Sequence, residues 1–205
     1  AGRGGGASRS RPLGRDPPFL NFPAGARILL APRPMDDLTM TTPNPRPRAL
    51  RQARAAARLA AVQALYQQEM EGTPIPTLLH EFHQHRLGAT IEGVEYAEAD
   101  IAFFDDVVRG VDARREEIDR AITAKLSEGW SLDRLDKPMR QILRAGTYEL
   151  IARVDVPAAA VISEYIDVAD AFYDRREKGF VNGLLDGVAK TVRGGSAAPA
   201  EAPEA

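Results

Sequence analysis

Four clusters of side chains in this sequence have the types that chemistry uses. The first is His80, Glu81, His83 and His85. A helical zinc site needs two imidazoles at i and i+4, on one face, with a glutamate beside the first. Here the first pair is at i and i+3, and Gln84 holds the i+4 place. A solvated helix face accounts for these residues, so no metal or other cofactor is expected. The second cluster is two pairs of adjacent carboxylates, Asp105-Asp106 and Glu116-Glu117. Neighbours on a helix point about 100° apart, so they do not converge as an acid and a base would. There is no Gly-rich phosphate loop, no nucleophile elbow and no kinase-like set, and Ser127, Ser131 and Ser163 lie outside any motif. The residues carry no enzyme signal.

The third cluster is basic. Arg46, Arg48, Arg51, Arg54 and Arg58 stand between Thr39 and Gln68 with no acid among them. Spacings of three and four place Arg51, Arg54 and Arg58 on one helical stripe. Positive charge at a helix N-terminus opposes the macrodipole, at about 0.3–1 kcal/mol per exposed charge. A polyanionic partner turns that cost into binding, and arginine both forks onto phosphate and stacks on bases. A solvated, Arg-rich tail is the other reading, and it is strongest for Arg3 to Arg33. The fourth cluster surrounds Phe180, at the edge of a stripe through Val181, Leu184, Leu185 and Val188. Phe180 either packs against a flank or serves as a platform for an unstacked base. In the second case Arg175, Arg176 and Lys178 supply phosphate contacts.

Overall charge conceals this arrangement. The net charge is −2 over 205 residues, of which 44% are apolar and 27% charged. Residues 1–50 carry eight Arg against three acids, whereas residues 51–193 carry 19 Lys and Arg against 24 Asp and Glu. The absence of cysteine rules out disulfides, iron–sulfur clusters, thiolate zinc sites and a cysteine nucleophile. No apolar run approaches the ~20 residues needed to span a bilayer.

Helices must position these groups. Residues 1–48 hold most of the Gly and Pro punctuation and read as a disordered extension, with Met35 and Met40 as alternative starts. From Ala49 the pattern turns helical. A first helix over about 49–70 carries the stripe Ala55, Leu59, Val62, Tyr66 and Met70. Gly72 ends it, and Thr73-Pro74 caps a second helix with Ile75, Leu78, Leu79 and Phe82 inward. Residues 87–97 read as a loop. One long helix follows over about 98–126, through Ile101, Phe104, Val108, Val111, Ile118, Ile122 and Leu126. Ser131 caps a short turn, and Asp136-Lys137-Pro138 opens a helix whose inner face is Met139, Ile142, Leu143, Gly146 and Leu150. Asp155-Val156-Pro157 starts the next, with Val161, Tyr165, Val168, Ala169 and Phe172. A last helix over about 177–193 ends at Gly194, and residues 194–205 form a disordered tail. The expectation is an all-α bundle of six to seven helices, with no convincing strand or hairpin signal and a seam at Gly129-Trp130 dividing 49–129 from 130–193.

Several strings together resemble one family. The run from Arg54 to Gln67 (RAAARLAAVQALYQ) looks like the opening helix of the NusB family of bacterial transcription antitermination factors. Residues 142–150 (ILRAGTYEL) resemble its fifth-helix signature. Asp155 to Pro157 followed by Val161 to Ala169 resembles its next helix, and residues 180–186 (FVNGLLD) resemble its C-terminal motif. The resemblance spans 49–193 and implies two small helical subdomains with a binding rather than a catalytic role. It implies pairing with NusE, a small-subunit ribosomal protein, and binding of single-stranded boxA RNA within an antitermination complex on RNA polymerase. It implies support of ribosomal RNA transcription in the cytoplasm, with a homodimer as a further assembly. The family's Arg-rich start maps onto Arg46, Arg48, Arg51, Arg54 and Arg58, and its RNA-contacting aromatic onto Phe180, flanked by Lys178 and Asn182. Tyr66 maps to a partner interface. Two positions depart from the family pattern: Ser163, where Asn is frequent, and Asp170, where Lys is frequent. A helical adaptor for proteins, or the NusB-like domain of a ribosomal RNA methyltransferase, are the competing readings.

Overall fold

Prolines begin the first helix rather than preventing it. A first-turn N–H has no helical acceptor, so proline loses nothing there. Helix α1 accordingly runs Pro45–Glu71, starting before the Ala49 expected from the sequence. The computed structural model describes residues 45–87, 90–91, 94–95 and 99–194, with side chains over 48–87 and 99–194. The expectations for residues 1–44 and 195–205 lie outside these, as does the side chain of Arg46. Gly72 stops α1 at φ +69, with its N–H bonded to Gln68 O at 2.9 Å. Only glycine takes that left-handed stop without strain.

Helix α2 spans Ile75–His85. Thr73 does not cap it: Pro74 occupies the N-cap, and the Thr73 hydroxyl donates to the Glu71 carboxylate at 3.3 Å. Helix α3 (Ile101–Ala113) is capped by Asp100, whose carboxylate accepts the Phe103 N–H at 3.0 Å. The single long helix expected over 98–126 is two, because α4 covers Arg115–Thr123. Arg114 between them has φ −113 and ψ 21, in the bridge region, and neither Gly nor Pro marks the break. Breaking the run lets Val111 on α3 and Ile118 and Ile122 on α4 all reach the core. The stretch expected as a loop holds one short pairing. Thr90–Ile91 (β1) pairs antiparallel with Val94–Glu95 (β2), Thr90 opposite Glu95. Two residues per strand are too few for alternation to register in a sequence.

A 3-10 turn at Leu132–Arg134 follows Ser131, whose side chain makes no cap bond. Helix α5 (Lys137–Ala152) opens as expected, the Asp136 carboxylate accepting the Met139 N–H at 2.9 Å. Helices α6 (Ala158–Asp170) and α7 (Arg175–Arg193) complete the order. The expected stripe on α5 is buried, but so is every residue from Gln141 to Leu150. Helices α1, α3, α4, α6 and α7 all surround α5, so it is the axis of the bundle. Gly146 permits α6 and α7 to approach closely: a Cβ there would lie 3.0 Å from Leu185 and 3.3 Å from Tyr165. On α6 and α7 the expected inner residues are buried, except that Phe172, just past the end of α6, is half-buried.

The inner face of α1 differs from the expected one. Ala57, Ala60, Ala61, Ala64 and Leu65 are buried, together with Val62; Leu59 and Tyr66 are half-buried and Met70 is exposed. Small side chains bring α1 close to α3 and α5, and the bulky stripe turns sideways. At the far end of the bundle the Arg193 guanidinium donates to four carbonyls: Leu150 O at 2.8 Å, Arg153 O at 2.9 Å, Glu149 O at 3.2 Å, and Val156 O. It thus satisfies the open C-terminus of α5 and ties the end of α7 to it.

Candidate nucleic-acid interface

The first turns of α1 carry no acid, and the helix dipole adds about half a positive charge there. Arg48 and Arg51 are exposed on this end, with no ion pair to either among the described residues. Arg54 is partly covered, at 30% side-chain exposure, with Nε 3.5 Å from Asp100 Oδ2. Arg58 belongs to a different environment. It is 3% exposed and donates to Glu149 at 2.6 and 2.9 Å and to Glu164 at 3.0 Å. Burial disfavours its charge, but the Glu149 hydrogen bonds and the two carboxylates outweigh this and hold its pKa above the ordinary guanidinium value. The expectation that Arg58 faces RNA is corrected: one turn deeper than Arg54, the stripe has rotated into the α1–α5–α6 junction. Its acidic partners lie 91 and 106 residues away in sequence, so local spacing does not reveal them.

The second expected element opens α7. Phe180 is 37% exposed, and Arg175, Arg176, Gly179, Asn182 and Gly183 are exposed around it. Lys178 pairs with Asp170 on α6. The departure at Asp170 therefore engages a cation that the sequence assigned to RNA. Arg58 meets α5 at Glu149, near its C-terminal end, while Leu185 meets α5 at Gly146 and Phe180 lies further toward its N-terminal end. At 1.5 Å per residue, Arg58 and Phe180 stand about 12 Å apart along α5, and Arg54 to Arg48 lie further out. Between them lies α6, with Asp167 exposed. Any ligand that engages both is extended.

Several members of the other candidate clusters form pairs within the fold. His83 Nε2 lies 2.7 Å from Asp105, and Glu81 receives Gln67 at 3.1 Å and Arg86 at 3.3 Å. Among the described residues, no group of three or more His, Asp or Glu side chains is placed to hold a metal ion. Asp106 accepts from the Tyr148 hydroxyl and from Arg153, each at 3.0 Å. Burial first, and the Asp106 hydrogen bond second, push the Tyr148 phenol up to about 12. Trp130 is exposed beneath the Arg134 guanidinium, 5.5 Å from its ring centroid. Tyr66 is half-buried on α1. Glu69 on the same helix bonds Gln141 and pairs with Arg140 and Arg144, tying α1 to the N-terminal half of α5. No helix among the described residues is long and apolar enough to cross a membrane.

The fold and surface thus define a helical bundle with a basic helix entry and an exposed aromatic on an otherwise acidic body. Residues 55–190 match the model of the NusB family. Transcription antitermination protein NusB of Sphingopyxis alaskensis is 68% identical over 142 residues, covering 69% of this chain and 95% of the relative. The protein of the same name from Novosphingobium aromaticivorans is 70% identical over 141 residues, with the same coverage. Among solved structures, T. maritima NusB aligns with a TM-score of 0.55 at 29% identity, over 74% of this chain and 93% of that one. A structure of antitermination factors NusB and NusE with double-stranded RNA aligns at 0.55 and 25%, over 67% and 96%. The chain belongs to the NusB family.

Proposed function

We propose that this chain acts as a transcription antitermination factor, binding the boxA element of nascent RNA together with NusE and so supporting ribosomal RNA transcription. The observation that carries this reading is the acid-free, arginine-bearing start of α1 on an acidic body. The names of the relatives and the NusB–NusE–RNA neighbour support it. The activity is binding, in the cytoplasm, without catalysis and within a complex on RNA polymerase. Arg48, Arg51 and Arg54, with Arg46 at the helix start, neutralise phosphates, so affinity falls steeply with salt. Phe180 stacks an unpaired base, and Asn182 offers a polar side chain beside it. Tyr66 lies in the interface with NusE, and self-association through that surface competes with NusE.

Fluorescence anisotropy with labelled boxA RNA, a scrambled strand and a duplex tests this. The single-stranded boxA RNA is expected to bind most tightly, and more tightly when NusE is present. Phe180→Ala is expected to cost about 1–3 kcal/mol of RNA binding while NusE pairing and the melting temperature stay unchanged. Equal affinity for all three RNAs, or no effect of NusE, contradicts the reading. Joint loss of RNA and NusE binding in Phe180→Ala makes the aromatic a packing residue.

A further inference from the structure

Three guanidiniums converge on one buried ring. Arg58 lies 4.9 Å, Arg153 5.2 Å and Arg54 5.4 Å from the Phe103 centroid, and Phe103 is only 3% exposed. Two of the three cations are committed elsewhere. Arg58 is held by Glu149 and Glu164. Arg153 is held by Asp106 at 3.0 Å and by Asp155 at 3.0 and 3.2 Å. Arg54 differs, because its Nε is buried without a hydrogen-bond partner. Its nearest anion is Asp100 Oδ2 at 3.5 Å, on a carboxylate whose Oδ1 already caps α3.

We infer that Phe103 is a positioning residue for RNA binding, holding Arg54 through its ring face so that the guanidinium is fixed while its terminal N–H donors stay available to a phosphate. Asp100 is then the internal counter-ion that the phosphate displaces. This inference rests on the RNA-binding reading above. The physical reason is the kind of restraint. A carboxylate clamp, as on Arg153, would consume the donors that a phosphate needs. A ring face restrains the cation electrostatically and consumes none. The fixed guanidinium loses less side-chain entropy when it meets RNA.

The test is a titration of labelled boxA RNA across a salt series with the wild type and five variants: Arg54→Gln, Phe103→Leu, Phe103→Tyr, Asp100→Asn, and Arg54→Gln combined with Phe103→Leu. Phe103→Leu is expected to weaken binding about threefold to tenfold, and Phe103→Tyr to restore it. In the Arg54→Gln background, Phe103→Leu is expected to have no further effect, and Arg54→Gln to lower the salt slope by about one. Asparagine still caps α3, so Asp100→Asn is expected to bind RNA about twofold to threefold tighter by removing the competing anion. A merely structural role for Phe103 predicts the same loss with and without Arg54, and that result overturns the inference. So does wild-type affinity in Phe103→Leu. If Phe103→Leu fails to fold, Asp100→Asn decides: tighter binding upholds the inference, and unchanged or weaker binding overturns it. Absence of RNA binding by the wild type removes the functional reading itself, and this inference with it.

Discussion

Replacing Arg58 by alanine is expected to cost fold stability, with RNA affinity changing little in the protein that remains folded. The Arg58 side chain makes hydrogen bonds of 2.6, 2.9 and 3.0 Å to Glu149 and Glu164. Glu149 is completely buried, so its carboxylate has no water to replace the lost partner. Breaking a buried pair by removing one member typically costs about 3–5 kcal/mol. For a folded body of this size each kcal/mol is worth roughly 3–4 °C, so the melting temperature should fall by about 10–20 °C. Replacing both partners with apolar residues of similar volume, Arg58→Met with Glu149→Leu, is expected to recover much of the loss, because no unpaired charge is then left inside. Thermal melts followed by circular dichroism read the first quantity. RNA titration well below the melting temperature reads the second. A melting temperature within a few degrees of wild type, combined with an RNA loss as large as that of Arg51→Ala, would refute the reasoning and return Arg58 to the RNA surface.

Other consequences follow from the same contacts. Arg193→Ala removes the guanidinium that serves four carbonyls at the end of α5. Urea denaturation should show a loss of about 1.5–3 kcal/mol, only partly restored by lysine, whose ammonium lacks the planar fork. Gly110→Ala places a Cβ 2.0 Å from the buried Tyr148 ring, and the forced shift should destabilise the fold by about 1–3 kcal/mol in the same assay. Tyr148 should ionise near 12 in a phenolate absorbance titration, against about 10 for a free tyrosine. Because the folded value is the higher one, its contribution to stability is complete below about pH 10 and is lost as the pH rises toward 12. Ionisation of Tyr148 at the ordinary value would show that its burial and its bond to Asp106 do not persist in solution.

The axis of this fold is legible in the sequence because its signals agree. The Asp136 cap, the first-turn Pro138 and the apolar run of α5 all point the same way, and so do the stripes of Val161 to Ala169 and Val181 to Val188. Helix α1 misleads because size and burial part company: a stripe of Leu59, Tyr66 and Met70 outweighs alanines by hydrophobicity, yet close packing selects the alanines. The break at Arg114 is a backbone choice set by packing on α5, with no turn residue to announce it. The charged junctions are illegible for a different reason. Arg54 and Arg58 are one turn apart and look equivalent, but Glu149, Glu164 and Phe103 come from other helices. Spacing places the arginines on a stripe, and only the tertiary fold decides which of them meets solvent.

On the proposed reading, RNA runs from the start of α1 to the start of α7. Photocrosslinking of thiouridine-substituted boxA RNA to the protein–NusE pair, with mass-spectrometric mapping of the linked peptides, tests it most directly. Adducts are expected within residues 46–54 and around Phe180, and none on the α2–α3 face that carries His83 and Asp105. Adducts concentrated on that acidic face, or absent from both predicted segments while RNA remains bound, would contradict it.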